Sequence, residues 1–323
     1  MKKRFKFKKS VKVFFFVLLV VGICFVAYNV IMNNDKNNNN YNESSGNNQN
    51  TDKTDETLLT LGYSEEDISV LKANLSDSEI SSLDIYDDNV ISFVSNKYFN
   101  FNNLERYITY SENNDYDVDE IITHVNINID KPFYSEIKTI EDPSNLLVLC
   151  NKYNALPSDY EPEDLTEVGS SGIYMRKEAA ENMYQMVLAA ESAGLNVNLV
   201  SGYRSYDYQV DLYQRHVRER GQEEADRVSA RAGHSEHQTG LAMDLSNDWS
   251  LEKYFEDTEL FEWLSENDYK YGFILRYPKD KEYLTGYDYE PWHYRYVGVE
   301  VATVIHEEDI TYEEYVMKYL TTN

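Results

Sequence analysis

The sequence predicts an α+β fold, with an antiparallel or mixed sheet in its C-terminal half, and three observations carry that reading. LNVNLV at 195–200 sets Leu195, Val197 and Leu199 against Asn196 and Asn198, the pattern of a strand covered on one face. Stretches at 176–193 and 206–220 repeat apolar residues at helical spacing and are stopped by Gly194 and Gly221. Strands and helices then interleave over short links, with GLAMDL, FILRY and WHYRYV as further strands and 251–268 and the C-terminus as helices.

Taken in order, the chain falls into five segments. Residues 1–12 hold seven cations and no acid. Residues 13–32 form an apolar run of a length that crosses a hydrocarbon core of roughly 30 Å, and the cations before it place the N-terminus in the cytoplasm and the rest outside. A cleaved secretory signal fits less well, because the run is long and NVIMNND offers no small-x-small site. Cys24 lies within the run after Ile23, which is a poor lipoprotein site. Residues 33–56 are almost devoid of apolar side chains and are expected to be a disordered, Asn-rich stalk. Residues 57–143 are expected to form a small helical domain, its starts marked by Ser64, by Ser76 with Glu79, and by Asp117 with Glu120. Residues 144–323 form the α+β domain.

Charge and cysteine content exclude several classes. Of 30 cations seven precede the apolar run, so the remainder carries 23 cations against 57 acids, a net charge of −34. Such a field disfavours nucleic acid or anionic lipid as partners. Only Cys24 and Cys150 are present, one inside the apolar run and the other outside it, so they are not expected to pair and the outer fold has neither a disulfide nor a cysteine-based zinc site. A metal must be held by histidine and carboxylate.

Two clusters have that composition. HSEHQTGLAMDL at 234–245 brings two of only six histidines next to Asp244. If GLAMDL is a strand, Gly240, Ala242 and Asp244 share one face, and the two small residues leave an open floor beside the carboxylate. EPWHYR at 290–295 adds His293 and, three residues before it, Glu290. His237, Asp244 and His293 would be three ligands of a catalytic zinc with a fourth position for water, and Glu290 a base toward that water. Spacing alone leaves His234 and His237 both open as the ligand, and an ordinary polar loop fits as well. Arg204 ends an apolar strand, a position suited to an oxyanion or substrate carboxylate, or equally to a structural salt bridge. His124 reads as structural, and His216 and His306 as solvent-facing.

SGYRS at 201–205, GHSEHQTGLAMDL at 233–245 and EPWHYRYVG at 290–298 closely resemble the signature segments of the VanY-like D-alanyl-D-alanine carboxypeptidases, zinc peptidases of bacterial peptidoglycan with the LAS-type fold. The entry segment NKYNALPSDYEPEDL is similar to that family too, and 57–143 resembles the N-terminal extension of some membrane-anchored members. The resemblance implies an antiparallel-sheet zinc peptidase domain with His237, Asp244 and His293 as zinc ligands, Glu290 as general base and Arg204 as oxyanion stabiliser. It further implies Ser235 as a substrate contact, with Gln209 and Tyr203 near the same cleft. Ala232 departs from the proline many members carry there. The expected activity is removal of the terminal D-alanine from stem peptides by an enzyme anchored in the cytoplasmic membrane. Alternatives are an L,D-carboxypeptidase, a D,D-dipeptidase, or a silent wall-binding module, the last disfavoured by the presence of Glu290. The aromatic stretch 277–289 is positioned to be a lid or wall of the cleft.

Overall fold

The structure, a computed structural model, describes residues 48–321. The apolar run at 13–32 lies outside the described residues, and among those described no helix is long and apolar enough to cross a membrane. The chain divides into two compact units, Met1–Gly62 and Tyr63–Asn323. In the first, a helix spans Asn48–Leu61, so the stretch expected to be a structureless stalk is helical from Asn48 onward. Its acidic and lysine residues tolerate helix, and Leu58, Leu59 and Leu61 at its end are the apolar residues that the stretch before Glu56 lacks.

The second unit begins with short helices, and each start read from the sequence is a capped one. Ser64, Ser76 and Asp117 each accept a hydrogen bond from the backbone of Asp67, Glu79 and Glu120, whose carboxylates return to the capping residue's N–H. Two orphan donors are satisfied at each start, which lets helices of six to ten residues persist. Ile68, Leu71, Tyr107, Ile121 and Val125 form their buried faces. The segment that follows runs against the α+β part. Tyr153 donates to the Lys131 carbonyl at 3.0 Å, and the buried Lys152 ammonium sits 4.3–5.0 Å from the rings of Phe133, Tyr134 and Tyr287 while donating to the Asp226 carbonyl.

Eight strands follow: β1 (Lys138–Thr139), β2 (Asn154–Ala155), β3 (Leu165–Glu167), β4 (Tyr174–Arg176), β5 (Asn198–Ser201), β6 (Ala242–Ser246), β7 (Phe273–Leu275) and β8 (His293–Tyr296). β1 and β2 pair in parallel, β3 and β4 antiparallel, and the main sheet has the order β5-β6-β8-β7 with every pairing antiparallel. Alternation then sorts the side chains. Leu241, Met243, Leu245, Phe273, Tyr294 and Tyr296 join Met183 and Met186 of the helix Lys177–Ser192 in the main core. On the other face the helices Val299–Glu308 and Tyr312–Tyr315 pack Ala302, Ile305, Tyr312 and Tyr315 around Ile274. Both faces are covered, so Asp244, His293 and Arg295 are buried although they point away from the main core.

Gly202, just past β5, is a position of close approach. A Cβ there would collide with the Tyr174 carbonyl oxygen and lie 2.7 Å from Ile173 Cγ2. Gly202→Ala is expected to destabilise the protein by about 1–3 kcal/mol, as overpacking does. Thermal denaturation checks this, and an unchanged melting temperature would show that β4 can move aside.

Candidate metal centre and active-site cleft

Register brings the first two candidate ligands together. Asp244 of β6 is directly opposite His293 of β8, so their side chains leave the same face of the sheet. The third, His237, lies on the 3-10 turn Glu236–Thr239, which Gly240 ends in a left-handed conformation at φ 69° and so turns the chain into β6. The ligand atoms of His237, Asp244 and His293 all lie within 4.8 Å of one another, and all three residues are buried. His237 Nε2 is 3.3 Å from Asp244 Oδ2, and His293 Nδ1 is 3.1 Å from Asp244 Oδ1.

Each imidazole is oriented by its other nitrogen. His237 Nδ1 lies 2.7 Å from the Gly202 carbonyl, which accepts its proton and leaves Nε2 as the free donor atom. His293 Nε2 faces Glu236 Oε2 at 3.5 Å, and Nδ1 is turned toward Asp244. Glu236, which sequence reasoning did not single out, is itself held by Arg276 Nε and Arg295 Nη1, both at 2.8 Å. Arg276 also grips Glu313 through two hydrogen bonds of 2.9 and 2.6 Å. Four charges that are at most 2 % exposed therefore balance two against two beneath the centre.

Proton affinities follow from these contacts. Burial pushes the His237 imidazole down to about 4, with Arg204 adding to the effect, so it is neutral as a metal ligand must be. Burial opposes charge on His293 too, but its hydrogen bonds to Asp244 and Glu236 prevail and raise it to about 9. Burial would raise Asp244, yet His237 and Arg204 hold it well below the ordinary carboxylate range. Glu290, 3.7 Å from His293 Nδ1, is pushed up to about 7 by burial.

The other candidates distribute unevenly. Arg204 donates through Nη2 to Asp244 Oδ2 at 2.5 Å and through Nε to Ser201 at 2.7 Å, so its guanidinium reaches the centre. A cleft of about 530 Å³ opens over the ligands, and Arg204, Gln209, Ser235 and Glu290 all line it. Gln209 donates to the Ala230 carbonyl at 2.8 Å and keeps its Oε1 buried without a partner. Tyr203 does not line the cleft; burial raises its phenol, and Glu161 and Tyr160 add to the effect. His234 stands outside the cluster of His237, Asp244 and His293; its Nδ1 is 2.7 Å from the Asn151 carbonyl and its ring meets Tyr134 edge-on.

Two expectations are corrected here, and a third is narrowed to one of its two alternatives. The floor beside Asp244 is filled: Gly240 is pressed against Arg176 and Leu165, and Ala242 is paired across the sheet with the buried Arg295. His216 is not solvent-facing but half-buried in the cleft wall with Nδ1 lacking a partner, and helical spacing from Gln209 through Leu212 to His216 was the available signal. The stretch 277–289 is a wall, with Tyr277 and Tyr287 buried along the cleft and Tyr277 4.9 Å from the His293 ring.

The chain is similar to several known proteins. The family model described as VanY, D-alanyl-D-alanine carboxypeptidase, matches residues 172–299. A putative carboxypeptidase of Bacillus subtilis (strain 168), YodJ, is 44% identical over 207 residues, covering 59% of this chain and 76% of the relative. A D-alanyl-D-alanine carboxypeptidase of Enterococcus faecium is 46% identical over 151 residues, 46% of each chain. The solved structure of the LdcB LD-carboxypeptidase superposes with a TM-score of 0.54 at 45% identity, covering 57% of this chain and 91% of that one.

Glu236→Gln is expected to weaken metal binding by about 10–100-fold, the usual cost of losing a group that orients a ligand. Competition with a chromophoric chelator measures it. Unchanged affinity would show that His293 is held without the carboxylate.

Proposed function

The chain belongs to the VanY family of D-alanyl-D-alanine carboxypeptidases, and from that membership we propose that it removes the terminal D-alanine of peptidoglycan stem peptides at the His237–Asp244–His293 centre. The observation that carries the reading is the convergence of three buried ligand atoms under an open cleft, with the carboxylate of Glu290 beside them. The ion that suits the donor set is zinc. Bonds of 2.0–2.1 Å in a tetrahedron separate ligand atoms by about 3.3 Å; His237 Nε2 is 3.3 Å from one Asp244 oxygen, His293 Nδ1 is 3.1 Å from the other, and one ligand atom from each residue can be chosen with all three within 4.8 Å. Two imidazoles and a carboxylate, with no thiolate, are the donors of a catalytic rather than a closed structural site. When bound, zinc supplies a Lewis acid and an acidified water.

The chain's own groups do the rest. Glu290 accepts the proton of the attacking water and passes it to the leaving amine of D-alanine, which suits a carboxyl group that burial brings toward neutrality. Arg204 donates to the oxyanion that develops on the scissile carbonyl. Ser235 and the unpartnered Gln209 Oε1 line the cleft where a peptide's hydroxyl, carbonyl and N–H groups need partners. A second reading, hydrolysis of the L,D bond of tetrapeptide stems, is favoured by the likeness to LdcB.

Incubation with pentapeptide and tetrapeptide stems, followed by mass spectrometry, separates the two. The expected products are tetrapeptide and free D-alanine from the pentapeptide, lost on chelation and reduced about 10²–10⁴-fold in Glu290→Gln, the range for a general base. Release of D-alanine from the tetrapeptide alone would transfer the function to the second reading, and no release from either would reject both.

We also propose that 13–32 anchors the protein in the cytoplasmic membrane with the catalytic unit outside. Support comes from the length of the apolar run and the seven cations before it. Full-length protein is expected in the membrane fraction, with the peptidase accessible to added protease on intact protoplasts; recovery in the soluble fraction would reject the anchor.

A further inference from the structure

We propose that a second cavity of about 530 Å³, lying where the short helices meet the C-terminal elements, is a binding site for an N-acetylated amino-sugar strand. Most of it is contributed by residues outside the 172–299 segment shared with the family. The loop 277–289 belongs to both cavities: Tyr277 and Tyr287 line the catalytic cleft, while Lys281, Tyr283 and Leu284 line the second.

The lining has the chemistry of a saccharide site. Tyr98, Tyr283 and Tyr319 supply rings, and those of Tyr283 and Tyr319 are 50 % and 49 % exposed. Their positions are fixed from behind. The Tyr319 hydroxyl donates to Glu308, Lys97 Nζ caps the Tyr98 ring at 4.4 Å, and Tyr283 meets the edge of the buried His124 at 5.6 Å. Ring faces held in this way stack on the C–H face of a pyranose with little ordering cost. Around them, Lys281 and Lys318 offer donors and Asp119, Glu120 and Glu314 offer acceptors. These groups already hold partners within the protein, Lys318 with Glu308 and Asp119 with Asn96, so an apolar ligand would cover charge with nothing to offer it, and an anionic one would meet the four carboxylates of Asp119, Glu120, Glu308 and Glu314. A neutral chain of hydroxyl and acetamido groups satisfies both signs. The choice of amino sugar rests on the peptidase reading above, since stem peptides are carried on such strands.

The probe is chitotetraose, titrated into the full-length protein in detergent and followed by calorimetry, with cellotetraose as the control sugar. Chitotetraose is expected to bind, and Tyr283→Ala and Tyr319→Ala are each expected to weaken it about tenfold through loss of a ring face. Release of D-alanine from a free pentapeptide should be unchanged in both variants. Absence of chitotetraose binding, binding indifferent to both substitutions, or equal binding of cellotetraose would overturn the proposal, as would loss of free-peptide hydrolysis in the variants, which would make the cavity a peptide subsite. Failure of the peptidase reading would look different: saccharide binding with no hydrolysis of any stem peptide.

Discussion

The centre depends on a carboxylate that never touches the metal. Glu236 is 0 % exposed and sits between two guanidinium groups that are equally buried, Arg276 and Arg295. An isolated charge in that position would be expelled or neutralised, and even a paired one recovers its desolvation cost only when its hydrogen bonds are complete. Here they are complete. Arg276 shares itself between Glu236 and Glu313, Arg295 also donates to the carbonyls of Leu146 and Val148, and the ring of Tyr312 lies 5.4 and 5.2 Å from the two guanidinium carbons. Because the network balances, Glu236 remains ionised, held low by the two arginines against its burial. It can therefore accept the Nε2 proton of His293 and aim Nδ1 at the metal position.

That constraint explains the construction of the sheet. Arg276 lies just beyond β7, Arg295 on β8, Glu313 on the helix Tyr312–Tyr315, and Glu236 on the turn before β6. The four can meet only if β6, β8 and β7 are adjacent in that order and the C-terminal helices cover the site-bearing face. Ala242 is small because Arg295 is its cross-strand partner. The C-terminal helices are thus part of the centre although none of their residues reaches the cleft.

Local signals were legible in the sequence and distant ones were not. The capping residues Ser64, Ser76 and Asp117 could be read because their partners lie three positions away. The shared face of Ala242 and Asp244 followed from the period of a strand. Period 2 could not show that Arg295 would occupy the space over Ala242, since the pairing spans more than fifty residues. Glu236 was hidden for the same reason: between two histidines it looks like one more polar residue, and its partners are 40, 57 and 59 positions away. The choice of His237 over His234 rested on family resemblance alone. In the structure each Nδ1 reaches a backbone carbonyl, of Gly202 for His237 and of Asn151 for His234, and only His237 brings a ligand atom close to Asp244 and His293. The helix at Asn48–Leu61 was missed because polar composition argues against a core and not against a helix that runs into leucines.

Electrostatics at the centre point toward a dication rather than toward a dry polar cluster. Asp244 is ionised and buried; Arg204 and the protonated His293 donate to it, while His237 turns an unprotonated Nε2 toward it at 3.3 Å. Without a metal, the proton on His293 is the cation that sits between Asp244 and Glu236, which is why that imidazole is raised to about 9 while His237, whose proton goes to a neutral carbonyl, falls to about 4. To hold a dication His293 would have to give up its Nδ1 proton, so binding would be coupled to proton release and affinity would rise with pH until that proton is gone. The charge of such an ion would also lower Glu290, the carboxyl that burial raises to about 7. A dication held by His237, Asp244 and His293 would thus favour the ionised form of Glu290, the form in which this carboxyl group accepts a proton.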